Sequence, residues 1–287
     1  MAKKYKILII FFVGFIVFSI GVAVYAKTQV DYSVHFIDTG QSDCILIKAG
    51  AKNYLIDTGA PYYSARIIRY LNRQNVNTID TIILTHYHDD HYGCLNDILK
   101  VIKVSKVYLP VSDDKMKSKI YKDVLMNHAS VHFMEDGWKL NEGKMHLKII
   151  APQDTILESI NNNSIIIYGE IDGIKYFFAS DCEKSEQKYI LERYDIKPCD
   201  VLKYPHHGLD TGITVEMLNK LKPQVAIVTC NGRESPDKST MKKIENKGVK
   251  IFRYDKDGDI QVNKGVVLTA KSYKRLNLLK GKFLFKN

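Results

Sequence analysis

At 287 residues with 45% apolar content and a net charge of +10, the chain can bury one large core or two modest ones. Charge and composition exclude an unfolded polyelectrolyte and a fibrous repeat. Three lysines before residue 26 and six cations after residue 270 carry most of that charge, leaving +1 for residues 27–270. A broad basic nucleic-acid groove over the body is thereby disfavoured.

Three lysines, Lys3, Lys4 and Lys6, precede the uncharged run Ile7–Ala26. Twenty such residues match a bilayer core of about 30 Å. The basic flank should stay cytoplasmic, which places the rest of the chain outside. Residues 1–26 are thus expected to be a signal anchor or a signal peptide. Val24-Tyr25-Ala26 has the small residues a signal peptidase reads, while the length of the run favours the anchor. Residues 27–270 are expected to form one globular domain, followed by a basic tail at 271–287.

Along that domain, residues 32–57 read as a β-meander and 61–74 as a helix with Pro61 at its start. "TIDTIILTH" reads as a strand buried on both faces. "GCLNDILKVIK" resembles a helix and "SKVYLP" a strand. The polar stretch 111–145 carries no clear period. Three strands follow, "HLKIIAP", "SIIIYGEI" and "IKYFFAS", with a turn at Asp172-Gly173 between the last two. Residues 182–194 read as an amphipathic helix. "DVLKYP" (strand), "TVEMLNKLK" (helix), "PQVAIVTC" (strand), "STMKKIENKG" (helix) and "VKIFRY" (strand) follow. "GDIQVN" and "GVVLTA" close the series. Strands with interspersed helices in both halves predict one α/β domain whose sheets are covered by helices.

Five cysteines, Cys44, Cys94, Cys182, Cys199 and Cys230, show no CxxC and form an odd set. They fit small core residues better than a disulfide framework or a structural zinc module.

"TIILTHYHDDHYGC", Thr81–Cys94, places three of the nine histidines and two aspartates directly after an apolar strand. His86 and His88 are two apart, so in extended chain they point the same way. Asp90 and His91 follow as the chain turns. Imidazole with carboxylate suits zinc, manganese or iron. Asp181 stands just past a second strand, where it could instead cap the helix that follows. His206 and His207 stand just past a third. The three strand ends supply enough donors for two ions, with His206 and His207 as alternatives for one place. His35, His128, His132 and His146 have no such context and read as structural. Cys94 and Cys182 adjoin the motifs and should pack behind the site.

HxHxDH, then a strand-end Asp, then a late His resembles the ligand order of the metallo-β-lactamase fold. "VHFIDTGQSDCILI", "NYLIDTG", "LTHYHDDHYG", "NNNSIIIYGEIDGIKYFFASD" and "DVLKYPHHG" are similar to motifs of the extracytoplasmic hydrolase domain of ComEC-type DNA-uptake proteins. They also resemble choline-phosphate esterases that trim teichoic acids. The resemblance implies an αββα four-layer sandwich with a dinuclear site at one edge. His86 and His88 would bind the first of two divalent ions, and Asp90, His91 and His207 the second. Asp181 would bridge them. Zinc is the first expectation, with manganese as the alternative. His206 would lie beside the substrate oxygens as a catalytic group, and Asp57 would orient a ligand from behind. Asp89 would be a solvated carboxylate or one that supports a ligand from behind.

Two departures stand out. Many members carry a third histidine on the first ion, where this chain has Asn161-Asn162-Asn163. Many ComEC-like domains carry a late Gly-His-Pro, where this chain has Ser235 before Pro236. The expected reaction is hydrolysis of a phosphodiester, in nucleic acid or a cell-envelope polymer, by a hydroxide bridging the two ions. A lactone or β-lactam hydrolase and a non-catalytic envelope protein are the rival expectations.

Overall fold

The computed structural model describes residues 31–112, 114–150, 160–278 and 282–285. The apolar segment 7–26 lies outside the described residues. Among the described residues, no helix is long and apolar enough to cross a membrane.

Two sheets stack face to face. The first runs β17-β16-β15-β14-β1-β2-β3-β4-β5-β6. Its N-terminal strands are β1 (Tyr32–Phe36), β2 (Ile45–Ala49), β3 (Lys52–Ile56), β4 (Thr78–Ile83), β5 (Lys103–Pro110) and β6 (Ser130–Met134). Its C-terminal strands are β14 (Ile260–Asn263), β15 (Val266–Thr269), β16 (Lys274–Asn277) and β17 (Lys282–Phe285). The second runs β13-β12-β11-β10-β9-β8-β7. It comprises β7 (Lys139–Glu142), β8 (Met145–Ile150), β9 (Ile166–Ile171), β10 (Ile174–Phe178), β11 (Val201–Lys203), β12 (Val225–Val228) and β13 (Lys250–Arg253).

The alternation of each strand assigns its residues to layers. Tyr54, Ile56, Ile83, Tyr176, Phe178, Val201 and Ile227 point between the sheets. Phe36 meets Phe178 there, with ring centroids 6.1 Å apart. Leu55 and Ile82 point outward, under α1 (Ser64–Arg73), α3 (Leu95–Val101) and α4 (Lys117–Met126). A four-residue turn of helix, α2 (Asp89–Tyr92), precedes α3. Phe177, Leu202 and Ala226 point to the opposite outside, under α5 (Lys184–Arg193), α6 (Val215–Leu221) and α7 (Lys238–Glu245). The expected αββα sandwich is the observed fold, and the described residues from Tyr32 onward form one compact unit.

Two stretches differ from the expectations. The polar region 111–145 contains α4, β6 and β7. The stretch expected as a basic tail carries β16 and β17, so the first sheet continues past Ala270. Lys271 there pairs with Asp38 at 3.0 Å and Lys274 with Asp257 at 3.0 Å. These two cations are therefore spent within the fold.

All five cysteines are buried and free. On α5, Glu186 is 1% exposed. Burial pushes its carboxyl well above the ordinary range, and the nearby Glu183 reinforces the rise; neither carboxylate oxygen has a hydrogen-bond partner. A raised folded-state pKa favours the neutral acid in the fold. Its stability contribution is complete below the unfolded value near ~4.3 and is lost as pH rises through the folded value. Glu186→Gln is therefore expected to raise the melting temperature, with a larger gain at pH 8 than at pH 5. Thermal melts at the two pH values check this; an equal shift at both would refute it.

Candidate metal centre

The site lies where carboxyl ends of strands from both sheets meet, the usual place for chemistry in sheets with parallel neighbours. β3 and β4 are parallel, as are β10, β11 and β12. Asp57 follows β3, His86 follows β4, Asp181 follows β10, and His206 and His207 follow β11. Asp57, Ser180, His206 and His207 all have positive φ (57°, 47°, 48° and 52°). Left-handed backbone at non-glycine residues costs on the order of 1 kcal/mol or more each and gathers at functional turns. Gly208 closes the last turn at φ 87°; a Cβ there would sit 2.5 Å from Pro236 Cβ and 2.8 Å from Val228 Cγ1.

Backbone bonds tie the turns together. Thr58 N donates to His91 O (2.6 Å), Asp43 N to Asp90 O (3.2 Å) and His206 N to Ser180 O (3.1 Å). Ile165 N donates to Thr85 O at 2.9 Å, and Ser180 Oγ to Thr85 Oγ1 at 2.7 Å. These last two bonds join the second sheet to the first beside His86.

Donor atoms of Asp90, His91, Asp181 and His207 lie within 4.8 Å of one another. Asp181 Oδ2 is 3.3 Å from His91 Nε2 and 3.2 Å from His207 Nε2. Asp90 Oδ2 is 3.0 Å from His207 Nε2. Asp181 is thus in the cluster and caps nothing: α5 has Glu183 at its N-cap and no side-chain cap.

The far nitrogens explain why the near ones face inward. His91 Nδ1 donates to Asp57 Oδ2 (2.8 Å), and Asp57 also accepts from Thr85 N (2.8 Å) and Thr85 Oγ1 (2.7 Å). His207 Nδ1 donates to Thr229 O at 3.0 Å. Carboxylate and carbonyl only accept, so each Nδ1 carries a proton, and each Nε2 can turn a lone pair to the cluster once an ion displaces the proton there. His91 Nε2 is buried with no hydrogen-bond partner. Burial opposes protonation of His91, yet Asp181, Asp57 and Asp90 hold its pKa well above the ordinary value. His207, likewise opposed by burial and favoured first by Asp181, rises to about 9. Carboxylates and imidazole Nε2 atoms converge on one point, and the raised histidine pKa values reflect the pull of those carboxylates for positive charge there. The donor set fits a divalent ion.

His86 and His88 form an adjoining pair, with His86 Nε2 3.2 Å from His88 Nδ1. The His86 ring centroid is 4.0 Å from that of His91. Burial, then His91, holds His86 well below its ordinary pKa, so it is neutral and able to coordinate. A first ion would rest on this pair and a second on Asp90, His91 and His207, with Asp181 touching the second group directly.

His206 stands outside the cluster. Its Nδ1 meets Thr211 Oγ1 at 2.7 Å and Glu183 Oε1 at 3.2 Å. Its Nε2 lies 3.3 Å from Asn161 Nδ2. Cys94 bonds Ala60 O at 2.9 Å in the outer core, and Cys182 also packs away from the donors. His35 is held between Ser33 Oγ and Tyr70 OH, each at 2.8 Å.

Three contributors were missed in the sequence. Thr85 supports Asp57 and His86 together. Asp43, in "GQSD", and Lys203, in "DVLKYP", are buried beneath the cluster and paired with each other. The signal was a lone charge within each of two motifs otherwise explained by turns and apolar strand.

The family model for the metallo-beta-lactamase superfamily matches residues 37–174. ComE operon protein 3 of Bacillus subtilis is 25% identical over 83% of this chain and 34% of its own length. Recombination protein 2 of Haemophilus influenzae is 25% identical over 81% of this chain and 29% of its own length. The chain thus spans about a third of these relatives. Among solved structures, the metallo-beta-lactamase fold protein YhfI from Bacillus subtilis superposes with a TM-score of 0.57 at 13% identity. That match covers 81% of this chain and 99% of YhfI.

Proposed function

We propose that the chain is a metal-dependent hydrolase of the metallo-β-lactamase type that cleaves phosphodiesters outside the cytoplasm, a reading supported by the family match over residues 37–174 and by the similarity to ComE operon protein 3. The carrying observation is the polar corner beside the His86–His88 pair. The turn Ile160–Asn163 is held against the strand end by the Ile165–Thr85 bond, and it presents Asn161 to His206 rather than a third imidazole to the pair. An amide and an imidazole side by side suit the non-bridging and leaving oxygens of a phosphodiester.

Two divalent ions, zinc or alternatively manganese, would supply Lewis acidity and a nucleophile at neutral pH. The chain's own groups do the rest. Asp57 and Thr229 keep His91 and His207 in the ligand tautomer. Asn161 donates to a phosphoryl oxygen. Burial lowers the His206 pKa while Asp181 and Glu183 oppose it; with Glu183 on its Nδ1, His206 would pass a proton at Nε2 to the leaving oxygen. The names of the two curated relatives favour a DNA strand as the first natural substrate to test. The +1 body favours an envelope phosphodiester as the second. The apolar segment 7–26 would keep the enzyme at the membrane.

The test is turnover by the purified full chain, loaded with zinc or manganese. Substrates are bis(p-nitrophenyl) phosphate, DNA, a phosphorylcholine ester and a chromogenic β-lactam. Turnover of one or more phosphodiesters, with the β-lactam untouched, is expected. β-Lactam turnover alone would establish the carbonyl-hydrolase reading instead. Two bound ions with no turnover of any ester would establish a non-catalytic protein.

A further inference from the structure

Lys203 ends β11, two residues before the His206–His207 turn, and its side chain is fully buried. A lysine is almost never buried whole unless it is paired. Here Nζ donates to Ser180 O at 3.0 Å, binds Asp43 Oδ2, and lies 3.5 Å from Asp181 Oδ1. Ser180 is the left-handed residue that turns Asp181 inward, and its carbonyl also accepts from His206 N. Asp43 is 1% exposed and is joined through its own N–H to the backbone of Asp90. One ammonium therefore bonds the turn that carries Asp181 and a carboxylate anchored to another donor residue, and it lies at ion-pair distance from Asp181 Oδ1, a buried atom with no hydrogen-bond partner.

The two oxygens of Asp181 have different neighbours. Oδ2 faces His91 and His207; Oδ1 faces Lys203. We propose that Lys203 and Asp43 are a buried positioning pair that holds Asp181 by Oδ1, so that only Oδ2 is offered to the metal cluster. The inference rests on the metal reading above. It adds that Asp181 serves the ions through a single oxygen, and that its rotation is fixed before any ion arrives. Asp43 makes this possible. It retains the ammonium, which would otherwise close fully on Asp181 and take its charge away from the ions. Neither residue touches the reacting atoms. Both act through Asp181.

The pair is tested by metal affinity rather than turnover. Zn2+ and Mn2+ binding to the full chain is measured by competition with a chromogenic chelator, with circular dichroism and thermal melts alongside. Lys203→Met alone would strand the Asp43 carboxylate in the interior and unfold the protein. The informative variants are the double change Asp43→Asn with Lys203→Met, which removes both charges together, and Asp43→Asn alone, which preserves size. Both are expected to stay folded and to bind metal about 10–100-fold more weakly, the usual effect of losing a ligand's supporting partner. Folded variants with wild-type affinity would overturn the positioning role and leave the metal centre standing, even if they melt lower. A wild-type chain that binds neither ion would overturn both.

Discussion

Replacing Asp181 by asparagine is expected to leave a folded protein that loses bound metal and at least ~100-fold in phosphodiester turnover. Burial alone would raise the pKa of Asp181, but His207, His91 and Lys203 hold it well below the ordinary value. It is therefore a carboxylate at every working pH. Asparagine keeps the shape and one carbonyl oxygen but removes the charge and places an N–H₂ among donors. That group would confront His91 Nε2 and His207 Nε2, now 3.3 and 3.2 Å from Oδ2, or else Lys203. Lys203 remains paired with Asp43, so no buried charge is stranded and the fold survives. Charge stabilisation by bound metal is worth several kcal/mol, and each 1.36 kcal/mol is tenfold, which gives a loss of about 10²–10⁴-fold. Elemental analysis and turnover on the same preparation decide it. Two ions retained as in the wild type would remove Asp181 from the centre.

What the sequence disclosed, and what it hid, follows from the length scale of each signal. Period-two alternation in "IKYFF" and "KNYLI" is local, and the sandwich realises it residue by residue: Phe177 outward, Phe178 inward, Leu55 outward, Ile56 inward. "HYHDDH" is local too: its Asp90 and His91 meet Asp181 and His207 in space, with His86 beside His91. Lys203 was opaque for the opposite reason. A lysine in a strand reads as a solvent-facing residue, and only the arrival of Asp43 from a distant turn makes its burial possible. In α4 only Ile120 and Val124 are buried, among Lys119, Lys122 and Asp123, and β6 is largely exposed at the sheet edge, so neither showed a clear period. The lysines after Ala270 looked like a tail because their partners are remote in sequence: Lys271 meets Asp38, and Lys274 meets Asp257. The choice between His206 and His207 could not come from "PHHG" alone. It turns on Thr229, whose carbonyl takes the Nδ1 proton of His207 and of no other histidine here.

That difference sets opposite expectations for the two histidines. His206→Ala is expected to retain its metal and to lose about 10²–10⁴-fold in kcat, the span of a lost general acid, with KM changing far less. His207→Ala is expected to lose metal first and activity in consequence. The reason lies in what each ring faces. His207 Nε2 is within 3.2 Å of both Asp90 Oδ2 and Asp181 Oδ2, so its lone pair completes the cluster. His206 Nε2 faces the amide of Asn161, and the acids around it are of a different kind: Glu183 meets its Nδ1 at 3.2 Å. Burial lowers the His206 pKa, and the Glu183 carboxylate on the far nitrogen opposes that fall, favouring the imidazolium that a proton donor to a leaving oxygen requires. Glu183→Gln should therefore reproduce part of the His206→Ala loss without disturbing metal content. Added zinc or manganese should restore His207→Ala in part and His206→Ala not at all. If His206→Ala is the variant rescued by metal, the two adjacent histidines have exchanged the roles assigned here.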